Sequence, residues 1–223
     1  MKLYHDDGNL FLRYEGGEKD GIMNGHGIYY YFDGKTKWYE GEWKNGFQDG
    51  RGIYYYDNGT SKWYEGEFKE GRKHGRGIYY HLDGKTKWYE GDWKDGQKEG
   101  KGIYYHFDGK LKSYEGEWKD GQQHGEGIQY YDDGKTILYN GNWKDGYKDG
   151  PGIEYNKYKN IVYTGTFFNN KKQGAFTVHY LTSNKKFHNI LFNAGIRKLS
   201  PTFIRDNHPT FNLDLSGLIA SYT

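Results

Sequence analysis

The chain has 223 residues, of which only 34% are hydrophobic, and more than half of those are the 12 Phe, 25 Tyr and 7 Trp. This composition excludes a thick aliphatic core, and a net charge of +2 is too small to indicate nucleic-acid binding by bulk charge. The chain has no Cys, which excludes disulfides and thiolate metal sites, and no apolar run of the roughly 20 residues that a membrane span requires. We therefore expect an intracellular, cytoplasmic protein that packs mainly through aromatic rings.

Residues 1–13 precede a repeated pattern, and we expect them to form an N-terminal strand or half-repeat that caps it. The pattern is clearest in Tyr-Glu-Gly-Glu-Trp at 39–43, and it returns every 25 residues. When a pattern recurs at a fixed period, most conspicuous residues occupy equivalent positions in successive repeats, and such a set of positions is here called a column. Columns usually serve the packing of one repeat on the next. The framework aromatics predicted on this basis are Tyr39, Trp43, Tyr64, Phe68, Tyr89, Trp93, Tyr114, Trp118, Tyr139 and Trp143.

Each repeat is predicted to be a β-hairpin. In the third copy the first strand is predicted near 62–69, and it ends at Glu70-Gly71, where other copies have Asn-Gly or Asp-Gly. These pairs accept positive φ and are typical of hairpin turns. The second strand is predicted near 77–81, and the Asp-Gly pair at 83–84 is predicted to form another tight turn before the next hairpin.

Strand alternation predicts which side chains share a face of the sheet. It places Tyr39, Gly41 and Trp43 on one face and Trp38 and Glu40 on the other. The recurring glycines are interpreted as positions where a neighbouring ring lies flat over the backbone. The predicted fold is all-β: an elongated single-layer antiparallel sheet of stacked β-hairpin repeats, twisted or curved. The array is expected over 14–176 with about seven repeats, of which the first and last are degenerate.

The pattern Tyr-x-Gly-x-Trp-x-x-Gly-x-x-x-Gly-x-Gly resembles the MORN repeat, the membrane occupation and recognition nexus motif. The copies that match closely begin at Tyr39, Tyr64, Tyr89, Tyr114 and Tyr139. Those at Tyr14 and Tyr163 lack part of the pattern and are interpreted as capping repeats. The repeat is longer here than is usual in the family, and the extra length is placed in the Asp-Gly-Lys-Thr-Lys turn. The resemblance implies a curved sheet that serves as a scaffold or docking surface, in a family with members at membranes, in radial-spoke heads and in other cytoskeletal assemblies.

Groups that could carry catalysis or bind metal occur only as columns. Glu40 and Glu42 lie two apart on one strand, which puts their carboxylates about 6 to 7 Å apart, a separation known from glycosidases. Because similar pairs recur in successive repeats, we interpret them as a solvated acidic ladder. The histidine columns are His74 with His124 and His81 with His106. Members of a column in adjacent repeats should stand about 10 Å apart, already too far to share a metal ion, so we interpret these histidines as exposed polar residues. We predict no enzymatic activity, no catalytic, cofactor-binding or metal-binding residue, and no small-molecule substrate.

Two columns of lysines are expected to line one long edge of the sheet at the longer turn. They are Lys35, Lys37, Lys62, Lys85, Lys87, Lys110, Lys112 and Lys135. Lysine protects exposed turns and edges from aggregation, and this is the favoured explanation. The alternative is an edge that binds anionic phospholipid or an acidic partner.

Each of the closely matching repeats contains a triplet of residues that differs from copy to copy, between two glycines that are the same in every copy. These variable triplets are Phe47-Gln48-Asp49, Arg72-Lys73-His74, Gln97-Lys98-Glu99, Gln122-Gln123-His124 and Tyr147-Lys148-Asp149. We predict that they are loop positions without a framework role, which either encode partner specificity or reflect neutral drift.

The repeat pattern ends after Gly174, and 177–223 is predicted to contain a closing hairpin and an extended tail. Two strands are expected at 176–181 and 187–192. The tail carries the apolar side chains Phe211, Leu213, Leu215, Leu218 and Ile219, which require burial. Either the tail folds back over its own sheet, or it docks into a partner protein.

The sequence thus favours a non-enzymatic structural scaffold or protein-protein docking module within a multi-subunit assembly. By the family resemblance alone, the preferred setting is axonemal or cytoskeletal, as in a cilium. The alternative is a peripheral membrane adaptor that binds anionic phospholipids through the lysine-lined edge. A third and weaker hypothesis is an enzyme subunit whose catalytic partner is another chain.

Overall fold

The computed structural model describes residues 1–4, 12–183, 185–193 and 196–198, and all regular structure within these ranges is β-strand. The strands are β1 Lys2–Tyr4, β2 Leu12–Lys19, β3 Ile22–Tyr30, β4 Lys37–Lys44, β5 Phe47–Tyr55, β6 Lys62–Lys69, β7 Arg72–Tyr80, β8 Lys87–Lys94, β9 Gln97–Tyr105, β10 Lys112–Lys119, β11 Gln122–Tyr130, β12 Ile137–Lys144, β13 Tyr147–Asn156, β14 Ile161–Phe168, β15 Lys171–Tyr180, β16 Lys185–Asn193 and β17 Ile196–Lys198. In these described ranges there is no helix that could cross a membrane.

The strands form one open antiparallel sheet in which each pairs with the strand before it and the strand after it. The pairing starts with β1 on β2 and ends with β16 on β17. Strands contact their sheet neighbours almost exclusively, so no second layer lies over either face in the described part of the chain. The predicted fold, an all-β single-layer sheet of consecutive hairpins, is confirmed.

The turn within each repeat has the geometry that its sequence predicts. Between β4 and β5, Asn45 and Gly46 have φ angles of 50° and 84°. Two successive left-handed residues form the type I′ turn, whose twist matches that of the flanking strands. Glu70 takes the same conformation with φ of 48°, although Glu is less suited to it than Asn or Asp.

The connection between the hairpins of successive repeats is a six-residue loop that contains the predicted tight turn, in which the N–H of Gly34 donates to the carbonyl of Tyr31 at 3.0 Å. In the first such loop the N–H of Tyr31 donates to the carbonyl of Thr36 at 2.9 Å. The Asp33 carboxylate accepts the N–H groups of Lys35 and Thr36 at 2.9 and 2.8 Å, and the Thr36 hydroxyl also donates to it. These bonds, with the hydroxyl contributing most, lower the pKa of Asp33 to about 2. The carboxylate thus takes over backbone donors that strand pairing would otherwise satisfy.

The second strand of each repeat is longer than predicted. Strand β7 covers residues 72–80 instead of 77–81, because a β-bulge carries the pairing across the glycine-rich segment. Gly66 pairs with Gly77, but Glu67 already pairs with His74, so extra residues of β7 lie between these two pairs. The variable triplets therefore lie in strands, and their prediction as loop positions is wrong.

The glycines between the framework aromatics make room for tyrosine rings, as predicted. A Cβ atom on Gly41 would lie 2.5 Å from the Tyr39 hydroxyl oxygen and 2.5 Å from the Cα atom of Gly52 on the next strand. The Tyr39 ring thus covers this pair of glycines, and its hydroxyl donates to the carbonyl of Glu42 at 3.1 Å. The ring is fully buried without leaving its polar atom unsatisfied.

Rings of successive repeats contact one another edge to face in an unbroken series, the aromatic spine. Tyr39 lies 5.2 Å from Trp43 and 5.3 Å from Phe68 of the next repeat, at interplanar angles of 86° and 89°. In order of contact, the spine is Tyr14, Trp43, Tyr39, Phe68, Tyr64, Trp93, Tyr89, Trp118, Tyr114, Trp143, Tyr139, Phe167, Phe176 and Phe192. Edge-to-face pairs contribute roughly 0.5–1.5 kcal/mol each beyond burial, so the spine holds neighbouring repeats together.

Trp38 lies on the same face as the spine, and its predicted placement on the opposite face is wrong. The register shifts at this position: Tyr29 pairs with Tyr39, but Tyr30 pairs with Lys37, which leaves Trp38 at a bulge. Its ring turns toward the spine and lies 5.4 Å from that of Tyr29. Simple alternation fails wherever a bulge adds a residue to one strand.

The two strands predicted after the repeats are present in β15 and β16. Phe176 on β15 contacts Phe192 on β16 at 5.2 Å and extends the spine beyond the last repeat. Most of the predicted tail, including the apolar residues 211–219, lies outside the described residues.

Candidate functional site: the aromatic face

The face of the sheet that carries the spine, here called the aromatic face, combines buried and half-exposed rings. Tyr39 and Trp43 are only 0% and 4% exposed. Beside them stand rings that remain partly open to solvent, and among them Trp88 is 38% exposed. These outer rings are Tyr29, Trp38, Trp63, Tyr79, Trp88 and Tyr104. The face therefore offers aromatic side chains on a rigid support, which is the composition of many protein interfaces.

Lys73, the middle residue of a variable triplet, places its ammonium group among four rings. The Nζ atom lies 4.2, 5.1, 4.9 and 4.9 Å from the ring centroids of Trp63, Tyr64, Tyr79 and Trp93. The π faces of the rings favour the charged form. Burial opposes it more strongly and, with the nearby charge of Lys98, lowers the pKa of Lys73 to about 8.

Lys98 repeats this arrangement one repeat further along. Its Nζ atom lies 4.8, 5.0 and 4.7 Å from the ring centroids of Tyr89, Tyr104 and Trp118. Burial lowers the pKa of Lys98 to about 8 as well. Among the described residues, no carboxylate forms an ion pair with either Lys73 or Lys98.

In the last repeats the same column of lysines is neutralised from within the chain. Lys148 lies 4.8 Å from the Tyr139 ring centroid, and its Nζ atom lies 3.9 Å from a carboxylate oxygen of Glu154. Lys172 donates a hydrogen bond to the other oxygen of the same carboxylate. Glu154 stands where earlier repeats have Tyr79 and Tyr104. The aromatic face thus carries two paired lysines near its C-terminal end and two unpaired ones near its middle.

On the opposite face, the glutamates predicted as a solvated ladder are engaged in hydrogen bonds. Glu40 accepts from the Lys37 ammonium at 2.9 Å and from the Tyr55 hydroxyl at 3.0 Å. The bond from Lys37 lowers the pKa of Glu40, and burial with the Glu40 contact raises the pKa of Tyr55 to about 12. The repeated ion pairs are Lys37–Glu40, Lys62–Glu65, Lys87–Glu90 and Lys112–Glu115, at 2.7–2.9 Å. The solvated-ladder interpretation is wrong for this column, since its members are half-buried and paired.

A second set of charges on this face matches across neighbouring repeats. Arg76 forms an ion pair of 3.3 Å with Asp92 of the next repeat. The residues opposite one another in this register are His26–Glu42, Arg51–Glu67, Arg76–Asp92, Lys101–Glu117 and Glu126–Asn142. Where an acidic residue replaces the base, its partner is an amide instead of a carboxylate, which avoids like charges in contact. These carboxylates therefore help to fix the strand register between neighbouring repeats.

The edge formed by the six-residue loops carries the remaining predicted lysines. Those of the first column, Lys35, Lys85, Lys110 and Lys135, are exposed at the loops. Three apolar side chains of the same loops are also exposed: Phe32 by 77%, Leu82 by 71% and Phe107 by 85%. The second column, which begins with Lys37 and Lys62, lies inward and pairs with glutamates as described above. The edge is consequently half as basic as the sequence suggests, but it is also apolar.

The histidines are not simply exposed, which corrects the interpretation from sequence. His81 is half-buried and stacks on Trp88, with ring centroids 5.4 Å apart, and its ring also lies 4.9 Å from Phe107. The described ranges contain no cluster of three or more His, Asp or Glu side chains able to hold a metal ion.

Sequence reasoning missed the lysines of the aromatic face. Lys73 and Lys98 belong to the triplets that the sequence predicts as loops, although their column also contains Lys148 and the buried Gln48. The missing signal was the length of the second strand: once the triplet belongs to a strand, its middle residue pairs with a framework aromatic, as Lys98 does with Trp93.

Comparison with known proteins identifies the repeat. A family model described as MORN repeat matches residues 14–36, 39–61, 64–86, 89–110, 114–136, 139–156 and 163–175. No curated protein matches the chain. The seven matches start at the tyrosines that cover the paired glycines or, in the last copy, at the equivalent Tyr163, and they span well over half of the chain. The chain therefore belongs to the family of MORN-repeat proteins.

Proposed function

We propose that the chain is a non-enzymatic scaffold that docks other proteins of a larger assembly on its aromatic face. The observation that supports this function is the layering of that face. The half-exposed rings of Trp63 and Trp88 both contact Tyr79, whose ring stacks on Trp93 of the buried spine. Binding energy at protein interfaces concentrates on such preorganised aromatic anchors. MORN repeats commonly serve as protein-protein or membrane-binding modules, in agreement with this assignment.

The proposed setting is an intracellular assembly of the axonemal or cytoskeletal type. The dimensions of the sheet support a spacer role. The seventeen strands of the described residues, at about 4.8 Å each, give a ribbon on the order of 80 Å long. A ribbon of this length can hold several partners at fixed intervals, which a compact domain of the same mass cannot do.

The test is affinity capture from native extract with the full chain, followed by mass spectrometry. The matched variant replaces Trp63 and Trp88 by Ser, the residue that the chain itself has at the equivalent position 113. We expect the wild-type chain to recover a defined set of proteins. The variant should recover at least 10-fold less of each of them. Recovery of no protein above the bead control, or equal recovery by both chains, would contradict docking on this face.

A second candidate, a peripheral membrane adaptor, is favoured by the exposed apolar side chains among the loop lysines. Phe32, Leu82 and Phe107 are at least 71% exposed, and Lys35, Lys85 and Lys110 belong to the same loops. An aromatic or aliphatic side chain next to a lysine suits the interface of an anionic bilayer, where the ring enters the headgroup layer and the ammonium contacts phosphate.

Vesicle flotation with phosphatidylinositol phosphates at physiological salt distinguishes the two candidates. The informative variant replaces Phe32 and Phe107 by Asp, which the chain has at the equivalent positions 57 and 132. A membrane adaptor should float with the vesicles and lose flotation in this variant. A wild-type chain that stays at the bottom of the gradient would rule the candidate out.

A further inference from the structure

The two unpaired lysines of the aromatic face indicate what kind of partner the face accepts. Lys73 and Lys98 point their ammonium groups into clusters of aromatic rings, and neither has a carboxylate partner in the described structure. An ammonium group that is removed from water without a counter-ion is electrostatically unsatisfied, and burial accordingly depresses the pKa of both groups.

The chain itself shows how this column is satisfied elsewhere. Lys148 and Lys172 share the carboxylate of Glu154, which stands at the position that Tyr79 and Tyr104 occupy in earlier repeats. In the middle repeats the equivalent positions are held by Tyr79 and Tyr104 instead of an acid, so within the described part of the chain no carboxylate neutralises Lys73 or Lys98.

We propose that Lys73 and Lys98 form an acid-reading site on the aromatic face that receives the carboxylates of an amphipathic helix of a partner protein. This inference rests on the proposed docking function and specifies the chemistry of the docked segment. The flanking rings, among them Trp63, Trp88 and Tyr104, contact the apolar side chains of the same helix.

Spacing selects a helix over an extended segment. Equivalent positions in adjacent repeats are separated by two strands, or about 10 Å. Seven residues of α-helix rise about 10.5 Å and return to nearly the same face of the helix. In an extended chain about three residues cover the same distance, but side chains three apart point to opposite sides. The partner helix therefore lies along the ribbon with Asp or Glu at positions i and i+7.

A display library of helical peptides with randomised surface positions tests the proposal against immobilised wild-type chain. We expect selected helices to be enriched in Asp or Glu at a seven-residue spacing with Leu, Phe or Met between them. The matched variant replaces Lys73 and Lys98 by Gln, which the chain has at the equivalent positions 48 and 123, so that folding is preserved. The control variant replaces Lys85 and Lys110 by Gln and removes the same charge from the loop edge.

The selected peptide should bind the wild-type chain and the edge control equally and the Lys73→Gln, Lys98→Gln variant at least 10-fold more weakly. Its binding at pH 8 should also be accompanied by proton uptake, because a carboxylate raises the pKa of the lysine it meets. Calorimetry in two buffers of different ionisation enthalpy measures this uptake. Selection without acid enrichment, selection of no peptide, equal affinity for the Gln variant, or binding without proton uptake would each overturn the proposal.

The same pair of variants separates this inference from the docking function itself. If affinity capture recovers a protein assembly that the Lys73→Gln, Lys98→Gln variant retains in full, the aromatic face docks proteins but does not read acids. If neither chain recovers any protein, the docking function fails.

Discussion

At the scale of single residues, each of the first six repeats has one tyrosine that covers two glycines. In the third repeat the Tyr64 ring lies over Gly66 and Gly77, and its hydroxyl donates to the carbonyl of Glu67 at 3.3 Å. A Cβ atom on Gly77 would approach Cε2 of this ring to 2.5 Å, well inside van der Waals contact. These glycines are therefore required by close approach of a ring.

We predict that Gly77→Ala lowers the free energy of unfolding by about 1–3 kcal/mol, the usual range for overpacking a core. Chemical denaturation monitored by Trp fluorescence measures the change. In a Tyr64→Leu background, which lacks the distal ring atoms that clash, the same substitution should cost much less. Equal costs in the two backgrounds would show that the ring is not the cause.

A second residue-scale prediction concerns pH. The pKa values of Lys73 and Lys98 are about 8 in the folded chain, below the unfolded value of 10.5. Between these values the unfolded chain binds more protons, so wild-type stability rises with pH in this window relative to a variant without the two lysines. Below pH 8 both states are charged and the full cost of burial is present.

The melting temperature of wild type minus that of Lys73→Met, Lys98→Met should accordingly increase between pH 7 and pH 9.5, by on the order of 2–4 °C. The series stops there because burial raises the pKa of spine tyrosines such as Tyr64, and their contribution would fall at higher pH. Exposed Lys85 and Lys110, replaced by Met, form the matched control. A difference that is flat or decreases with pH would contradict the assignment.

At the scale of elements, one of the five closely matching repeats departs from the aromatic pattern of the spine. Phe68 stands where other repeats have Trp, and it therefore lacks the indole donor with which Trp93 reaches the carbonyl of Gly77 at 3.3 Å. Its edge-to-face contacts with Tyr39 and Tyr64 are nevertheless intact. The missing feature at this junction is a hydrogen bond and not a ring contact.

We expect Phe68→Trp to raise the free energy of unfolding by about 1 kcal/mol, the net value of one added hydrogen bond. The reciprocal change Trp93→Phe removes that bond from an equivalent site and should lower stability by a similar amount. Urea titration of both variants checks the pair. A loss of stability in Phe68→Trp would mean that this junction is too narrow for an indole.

Some elements of the fold are predictable from the sequence, and others are not. The type I′ turns follow from Asn-Gly and Asp-Gly pairs because only residues that tolerate positive φ fit there. A β-bulge has no comparable sequence signal within a single repeat. Bulges explain why the predicted start of β7 and the predicted face of Trp38 are both wrong. The aromatic framework was predictable from its period, whereas the environments of Lys73 and Lys98 depend on how far the strand extends.

At the scale of the whole molecule, neighbour contacts alone hold the array together. Strands pair and pack mainly on adjacent strands, and spine tyrosines such as Tyr39 and Tyr64 also contact a ring two strands away, in the next repeat. The energetics should therefore approximate a sum over repeats and junctions. The docking proposal and the proposed site at Lys73 and Lys98 both require that equivalent residues of adjacent repeats lie at a constant distance, which this stacking of repeats provides.

We predict that deletion of residues 87–111, one full period, gives a chain that still folds cooperatively. It joins Thr86 to Lys112, the equivalent of Lys87, and it leaves Arg76 opposite Glu117 in place of Asp92, so the charge register is kept. Deletion of 87–96 removes β8 and its turn but keeps β9, so it leaves two strands of the same direction next to each other with only a short connection, and it should abolish cooperative unfolding. Thermal unfolding followed by near-ultraviolet circular dichroism compares the two. Loss of cooperativity in the first deletion would contradict nearest-neighbour stability.

The direction of the hydrogen bonds in this open sheet determines how the ribbon responds to force. Because strands run across the ribbon, their interstrand bonds lie along its length, and the described ends of the chain lie at opposite ends of the sheet. Tension applied to those ends loads the bonds of the outermost strand one after another, so hairpins should peel off singly at low force. Each released repeat would lengthen the chain by roughly 75 Å, from about 3.4 Å per extended residue less the 10 Å it occupied. Force applied through partners bound along the faces would instead be distributed over many strands. The ribbon should therefore resist a load applied along its length better than tension applied at its two ends.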